Sequence, residues 1–268
     1  MEQLFQLLIN QSEFLKEVIN DLFSFYIIGM LYITGDIHGT WDEREQFIRS
    51  LSKEDILIVL GDWGWCWTSE HLKRYLKNNP ECIQLWIDGN HEGYNVIDTF
   101  PIVKIYGGRA HKIADNIYHL IRGEMYEIEG KKFLVFGGAL SIDKHWRTPY
   151  VSWWPQEQPT MSDYSNAIEN LKKNNWKFDY LLTHTADTEL VQTVLGTTDT
   201  VNDSTERMIS QLKYEIKENE GSFKKHFFGH LHQFWKGVSD DYEWYCLYTQ
   251  IYDLAFDKVT FYDDKVYV

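Results

Sequence analysis

The chain has 268 residues, 44% of them apolar and 25% charged, values that fit a folded globular protein and exclude disorder or a collagen-like repeat. A chain this long buries a large core, roughly three quarters of its unfolded surface at about 300 residues. The formal net charge of −14 disfavours general binding to a phosphate backbone. The aromatic content of 16%, with 11 Trp, points to an aromatic-walled cleft or interface.

Residues 1–29 read as an amphipathic helical extension, with Leu4, Leu7, Leu8, Leu15, Val18, Ile19 and Leu22 near helical spacing. Its polar face is not basic, so a membrane-surface role is disfavoured. A domain spanning 30–268 follows. Leu31 to Thr34, Ile56 to Leu60 and Ile83 to Ile87 are apolar runs suited to strands buried on both faces. Between them, Trp41 to Leu51 and Glu70 to Asn78 have helical character, so the β-α-β-α-β order implies parallel strands with right-handed crossovers. Ile117 to Ile121, Met125 to Ile128 and Phe133 to Phe136 read as an antiparallel meander. Phe178 to Thr183 and His226 to Gly229 return to the buried-strand pattern, with Ser204 to Lys217 helical between them. Trp244 to Val268 ends in short aromatic strands. Residues 140–162 break the pattern. They hold Pro149, Pro155 and Pro159 with Trp146, Trp153 and Trp154, an aromatic composition that predicts an ordered functional loop.

Cys66, Cys82 and Cys246 are widely spaced and form no CxxC, which predicts reduced thiols in a reducing compartment. The longest apolar run, near Phe25 to Ile33, is too short to span a bilayer, and Lys16 is the first basic residue, so neither a spanning helix nor a signal peptide is expected. The expected location is the cytoplasm.

Polar motifs follow the apolar strands. Gly35-Asp36-Ile37-His38-Gly39 follows the first, Gly61-Asp62-Trp63-Gly64 the second and Gly89-Asn90-His91-Glu92 the third. Thr183-His184 and Gly229-His230-Leu231-His232 follow two later ones. Ligands in open α/β sheets gather outside the carboxyl ends of strands. Asp36, His38, Asp62, Asn90, His184, His230 and His232 therefore converge as a candidate metal site. Carboxylate, imidazole and amide oxygen together suit Mn, Fe, Zn or Co better than Ca. Seven ligands exceed what one such ion takes and suit two ions sharing a carboxylate.

With these motifs in the order GDIHG, GDWG, GNHE, TH and GHLH, the chain resembles the calcineurin-like metallophosphoesterases from Gly35 to His232. The resemblance implies an α/β fold, a four-layer α/β/β/α sandwich of two mixed β-sheets flanked by helices. It implies two divalent ions, Mn favoured: Asp36, His38 and His232 would bind the first, Asn90, His184 and His230 the second, and Asp62 would bridge them. It also implies hydrolysis of phosphate mono- or diesters by a metal-bridging hydroxide. His91 would then face the scissile phosphate as general acid or hydrogen-bond donor.

The departures concern the substrate. In the protein Ser/Thr phosphatase branch the middle motif is GDxVDRG and an Arg precedes GNHE, whereas this chain has Trp65, Cys66 and Asp88 at the corresponding positions. Both phosphate-clamping arginines are missing, which disfavours a protein phosphatase. Arg147 is the expected replacement clamp, with Trp154 and Arg109 as further candidate substrate contacts. The expected substrate is a small phosphorylated or nucleotide-like ester. A metal-dependent nuclease is the alternative, weakened by the lack of a Lys/Arg stripe. A non-catalytic scaffold is weakened further by the complete ligand set.

Overall fold

The computed structural model describes residues 29–199, 203–239 and 241–262. In Leu31–Thr34 (β1), Ile56–Val59 (β2) and Ile83–Trp86 (β3), successive side chains point to opposite faces of one sheet. Ile33, Ile58 and Leu85 turn inward to the second sheet, while Leu57, Val59 and Trp86 turn outward to a helical layer. Both faces are buried, so these runs carry no polar alternation. β1, β2 and β3 pair in parallel, as the crossover argument requires.

Ile117–Leu120 (β6) continues the parallel set beside β3. Two further strands that no apolar run marks, Ile102–Ile105 (β4) and Gly108–Ala114 (β5), form the antiparallel edge beyond it. On the other side, Ile251–Asp253 (β13) and Lys258–Thr260 (β14) pair antiparallel with β1 and with each other, completing eight strands. The second sheet has six strands in the order β11-β12-β10-β9-β8-β7: Trp235–Ser239, Tyr242–Cys246, Lys225–Phe228, Tyr180–Thr183, Lys131–Phe136 and Met125–Ile128. β8, β9, β10 and β12 run parallel, and the outer two strands run antiparallel.

The expected meander is thereby corrected. Met125–Ile128 and Lys131–Phe136 do form a hairpin, but β6 belongs to the other sheet and the chain changes sheet across Ile121 to Glu124. Short strands joined by glycines do not reveal a sheet change, because the connection is as brief as a hairpin turn.

Outside the first sheet lie Glu45–Ser50 (α1) and Ser69–Leu76 (α2), which bury Ile48, Leu72 and Tyr75, with the short Tyr94–Ile97 (α3). Outside the second lie Met161–Lys173 (α4), Thr188–Leu195 (α5) and Ser204–Glu218 (α6). α4 and α6 bury Ala167, Leu171, Ile209, Leu212 and Ile216 against Leu134, Phe136 and Leu181, while α5 packs on Phe228 and Trp244. The result is the expected pair of mixed sheets between helical layers. α4, absent from the sequence reading, starts at a capping box: the Thr160 hydroxyl accepts the Asp163 N–H, and the Asp163 carboxylate accepts the Thr160 N–H. The expected N-terminal helix over 1–29, Gly29 excepted, and the end of the expected C-terminal strands lie outside the described residues.

Candidate metal centre

The loops after β1, β2 and β3 lie side by side at one end of the first sheet. Backbone bonds tie them: the Ile37 and His38 N–H groups donate to the Asp62 carbonyl at 3.1 and 2.7 Å, and Gly39 donates to Trp63 at 2.9 Å. From the second sheet, the loops after β9 and β10 are joined by Gly229 N–H to the His184 carbonyl at 2.8 Å. The loops after β1, β2 and β10 turn sharply at their polar residues. His38, Asp62, His230 and His232 have φ of 56, 48, 65 and 51°. Left-handed backbone at a residue with a Cβ costs roughly 1–3 kcal/mol each and persists where the surroundings enforce it, often at functional sites.

The motif glycines have a steric reason. A Cβ on Gly89 would sit 2.0 Å from Asp62 Oδ1, and one on Gly229 would sit 2.3 Å from Asp36 Oδ1. The two buried carboxylates occupy the space a side chain would need.

These loops bring all seven candidate ligands together. His232 Nε2 lies 3.1 Å and His38 Nε2 3.7 Å from Asp36 Oδ2, and His38 Nδ1 lies 3.8 Å from Asp62 Oδ2. His184 Nε2 is 3.4 Å from Asp62 Oδ1 and 3.1 Å from Asn90 Oδ1. The His184 and His230 rings are 4.9 Å apart. One candidate group is Asp36, His38 and His232, and another is Asp36, Asp62 and His184, each with ligand atoms within 4.8 Å of one another.

The donor set fits divalent cations on one further observation. Asp62 Oδ1 accepts the His91 N–H at 2.7 Å, and Asp36 Oδ1 accepts the His230 N–H at 3.0 Å. Asp62 Oδ2 is buried with no hydrogen-bond partner, and the equally buried Asp36 Oδ2 meets only cluster imidazoles, His232 Nε2 at 3.1 Å and His38 Nε2 at 3.7 Å. An unpartnered buried carboxylate oxygen is costly, and a cation facing these oxygens removes that cost. Ring orientation is also set: the Leu60 carbonyl lies 2.7 Å from His184 Nδ1, which leaves Nε2 to face Asp62 and Asn90.

Among the protein groups alone, charge is shared across the cluster. Burial opposes ionisation of Asp62, but His184, His91 and His38 hold its carboxyl well below the usual range. Burial likewise opposes charge on His184, yet Asp62 and Asp36 carry it up to about 9. Burial, with His184 alongside, pushes His230 down to about 4. A neutral imidazole is the form that binds a metal.

His91 lies beside the cluster, its ring 5.3 Å from that of His38. Arg147 meets it: Nη1 lies 3.0 Å from His91 Nδ1 and Nη2 lies 3.3 Å from Nε2. Burial, helped by the Arg147 cation and opposed by Asp62, lowers the His91 pKa. The other two candidate substrate contacts are not brought here. Trp154 is buried and packs edge-on against Trp67 at 5.2 Å, so it supports the loop and offers no free face. Arg109 sits on β5 and is engaged by Glu124, Nε to Oε1 at 2.6 Å, an ion pair that the sequence distance between the two residues did not suggest.

Three supporting groups escaped the sequence reading. Buried Arg44 donates to the Asp36 carbonyl at 2.6 Å, to Thr34 Oγ1 at 2.8 Å and to the Tyr248 carbonyl at 2.7 Å, bracing the first motif. Glu92, within GNHE, accepts the Trp63 N–H at 2.8 Å and the Gly64 N–H at 3.3 Å, bracing the second. Its place in the motif was the available signal. Ser141 meets Asn90 from the irregular loop. Asp88, where the phosphatase branch has Arg, pairs instead with Arg122 at 2.9 Å and His119 at 3.1 Å.

No curated protein matches the chain. Among solved structures it is similar to the phosphopantetheinyl hydrolase of Mycobacterium tuberculosis, with 16% identity and a TM-score of 0.44 over 83% of this chain and 90% of that one. The family model described as calcineurin-like phosphoesterase matches residues 30–234, and the five motifs at the cluster lie within that span. The chain belongs to the calcineurin-like phosphoesterases.

Proposed function

We propose that the chain is a two-metal phosphoesterase, Mn being the favoured ion, that hydrolyses a small or nucleotide-like phosphate mono- or diester. The observation that carries this reading is the pair of buried carboxylate oxygens Asp36 Oδ2 and Asp62 Oδ2, which face no donor but the cluster's imidazoles. Asp36, His38 and His232 would hold one ion, Asn90, His184 and His230 the other, with Asp62 between them. Bound there, the ions supply Lewis-acid polarisation of the phosphoryl group and a water of lowered pKa.

The chain's own groups do the rest. Arg147 presents a guanidinium held by Asp143 at 2.8 Å and the Ser152 carbonyl at 3.2 Å, and a phosphoryl group entering beside His91 would take over the Nη contacts that the His91 ring fills. His91 offers a ring N–H beside it to a phosphoryl oxygen or the leaving oxygen. Trp67, 6.4 Å from the His91 ring, and Trp154 packed edge-on behind it place an aromatic wall on that side of His91. The three thiols Cys66, Cys82 and Cys246 are free and buried, which supports a reducing, cytoplasmic setting.

The test is a Mn-loaded panel of para-nitrophenyl phosphate, its bis ester, cyclic nucleotides, dinucleoside polyphosphates and single-stranded DNA. Turnover of a small ester is expected, with Asp62→Asn slower by about 100-fold or more. Preferential cleavage of the DNA would replace this reading with the nuclease. No turnover of any substrate, with fewer than two Mn bound per chain, would overturn it.

A further inference from the structure

Asn90 is the amide among the candidate ligands, and an amide coordinates a cation through its oxygen, not its nitrogen. Which end faces the cluster therefore matters. Oδ1 lies 3.1 Å from His184 Nε2, and Nδ2 lies 3.1 Å from Ser141 Oγ on the other side. Ser141 is buried, and so is its own partner, Glu157. The Ser141 N–H donates to Glu157 Oε1 at 2.9 Å, and its hydroxyl lies 2.7 Å from Oε2. Burial pushes the Glu157 carboxyl up, and these two donors oppose that shift.

A serine hydroxyl carries one hydrogen, and an ionised carboxylate only accepts. The Ser141 hydrogen goes to Glu157. What Ser141 Oγ then shows Asn90 is lone pairs, which can receive the amide N–H but cannot donate to the amide oxygen. The reverse orientation of Asn90 would set oxygen against oxygen. We propose that Ser141 and Glu157 are positioning residues for Asn90, locking its carboxamide oxygen toward the ion that Asn90, His184 and His230 would hold. The proposal rests on Asn90 being a metal ligand. It gives the 140–162 loop a second task besides presenting Arg147, since Ser141 precedes the short 3-10 turn at Lys144–Trp146 and Glu157 ends the one at Pro155–Glu157.

Calorimetric titration of the full chain with Mn²⁺ tests it, using Ser141→Ala, Glu157→Gln, Ser141→Thr and Asn90→Ala. Ser141→Ala removes the acceptor. Glu157→Gln keeps the shape but offers an NH₂ to Ser141 Oγ, which turns the hydroxyl hydrogen toward Asn90 and favours the flipped amide. Both are expected to weaken one of the two ions by about 10–100-fold, leaving the other ion near wild type. Ser141→Thr, which keeps the hydroxyl, is expected to restore binding. Wild-type affinity for both ions in Ser141→Ala and Glu157→Gln, beside a loss in Asn90→Ala, overturns the positioning role. Equal weakening of both ions with a lower metal-free Tm overturns it too, as a merely structural effect. Unchanged binding in Asn90→Ala overturns the ligand reading of Asn90, and the proposal falls with it.

Discussion

Arg147 reaches His91 because Asp143 and the Ser152 carbonyl fix its guanidinium within one irregular loop. It therefore needs no substrate to hold its position, and little side-chain entropy remains to be lost on binding. The two positions where the phosphatase branch carries arginines cannot serve: Cys66 is buried and neutral, and Asp88 is spent on Arg122 and His119. A charge-assisted hydrogen bond contributes about 1.5–3 kcal/mol, so Arg147→Ala is expected to lower kcat/KM by roughly 10–150-fold. Arg147→Lys keeps the charge but loses the fork and should fall between the two. Steady-state kinetics on the best substrate of the panel measures this, and identical constants for Arg147→Ala and wild type would remove Arg147 from the site.

Helix α6 carries a pH-sensitive element far from the metal chemistry in sequence. Glu206 lies in its first turn, where the helix dipole favours an anion. Burial and the neighbouring Asp203 outweigh that benefit and push the Glu206 carboxyl up to about 7. The folded chain thus keeps this proton to higher pH than the unfolded chain, whose glutamate titrates near about 4.3. Stability is undiminished below that lower value and declines as pH rises through about 7. Glu206→Gln is expected to match wild-type Tm at pH 4.5 and exceed it at pH 8; equal Tm differences at both would reject the assignment. The elements also show what the sequence displays and what it hides. β1, β2, β3, β9 and β10 were legible as apolar runs because both their faces are covered, and α6 showed its helical period. β4 and β11 lie at sheet edges, with side chains that alternate or are mostly exposed, so no run marks them. α4 was hidden although Thr160 and Asp163 hold a capping box. The candidate ligands were legible because each lies just past a strand, five of them with a glycine alongside, while His184 and His232 have none adjacent. Arg44, Ser141 and Glu157 were not, since no motif marks them and partners such as Tyr248 and Asn90 lie far away in sequence.

At the scale of the whole molecule, the cluster draws its groups from both sheets. Asp36, Asp62 and Asn90 follow β1, β2 and β3 of the eight-stranded sheet, and His184, His230 and His232 follow β9 and β10 of the six-stranded one. The inter-sheet core holds the two layers together with Ile33, Ile58, Leu182 and Phe227, each worth about 1.5–3 kcal/mol when fully buried. Cations held at the end of the sandwich would add a clasp that the unfolded chain cannot form, because the candidate ligands are scattered from Asp36 to His232. Binding to the native state alone stabilises by about 2.7 kcal/mol when free metal is 100 times Kd. At roughly 2–4 °C per kcal/mol for a chain of this size class, chelation is expected to lower Tm by about 5–10 °C. Thermal melts with excess Mn²⁺ and with chelator measure it. The gap should shrink in Asp62→Asn, which removes the carboxylate facing both His38 and His184, and survive in Arg147→Ala, which touches no candidate ligand oxygen. A wild-type Tm indifferent to chelator after full Mn loading would mean that the cations do not bridge the sheets, whatever their role in turnover.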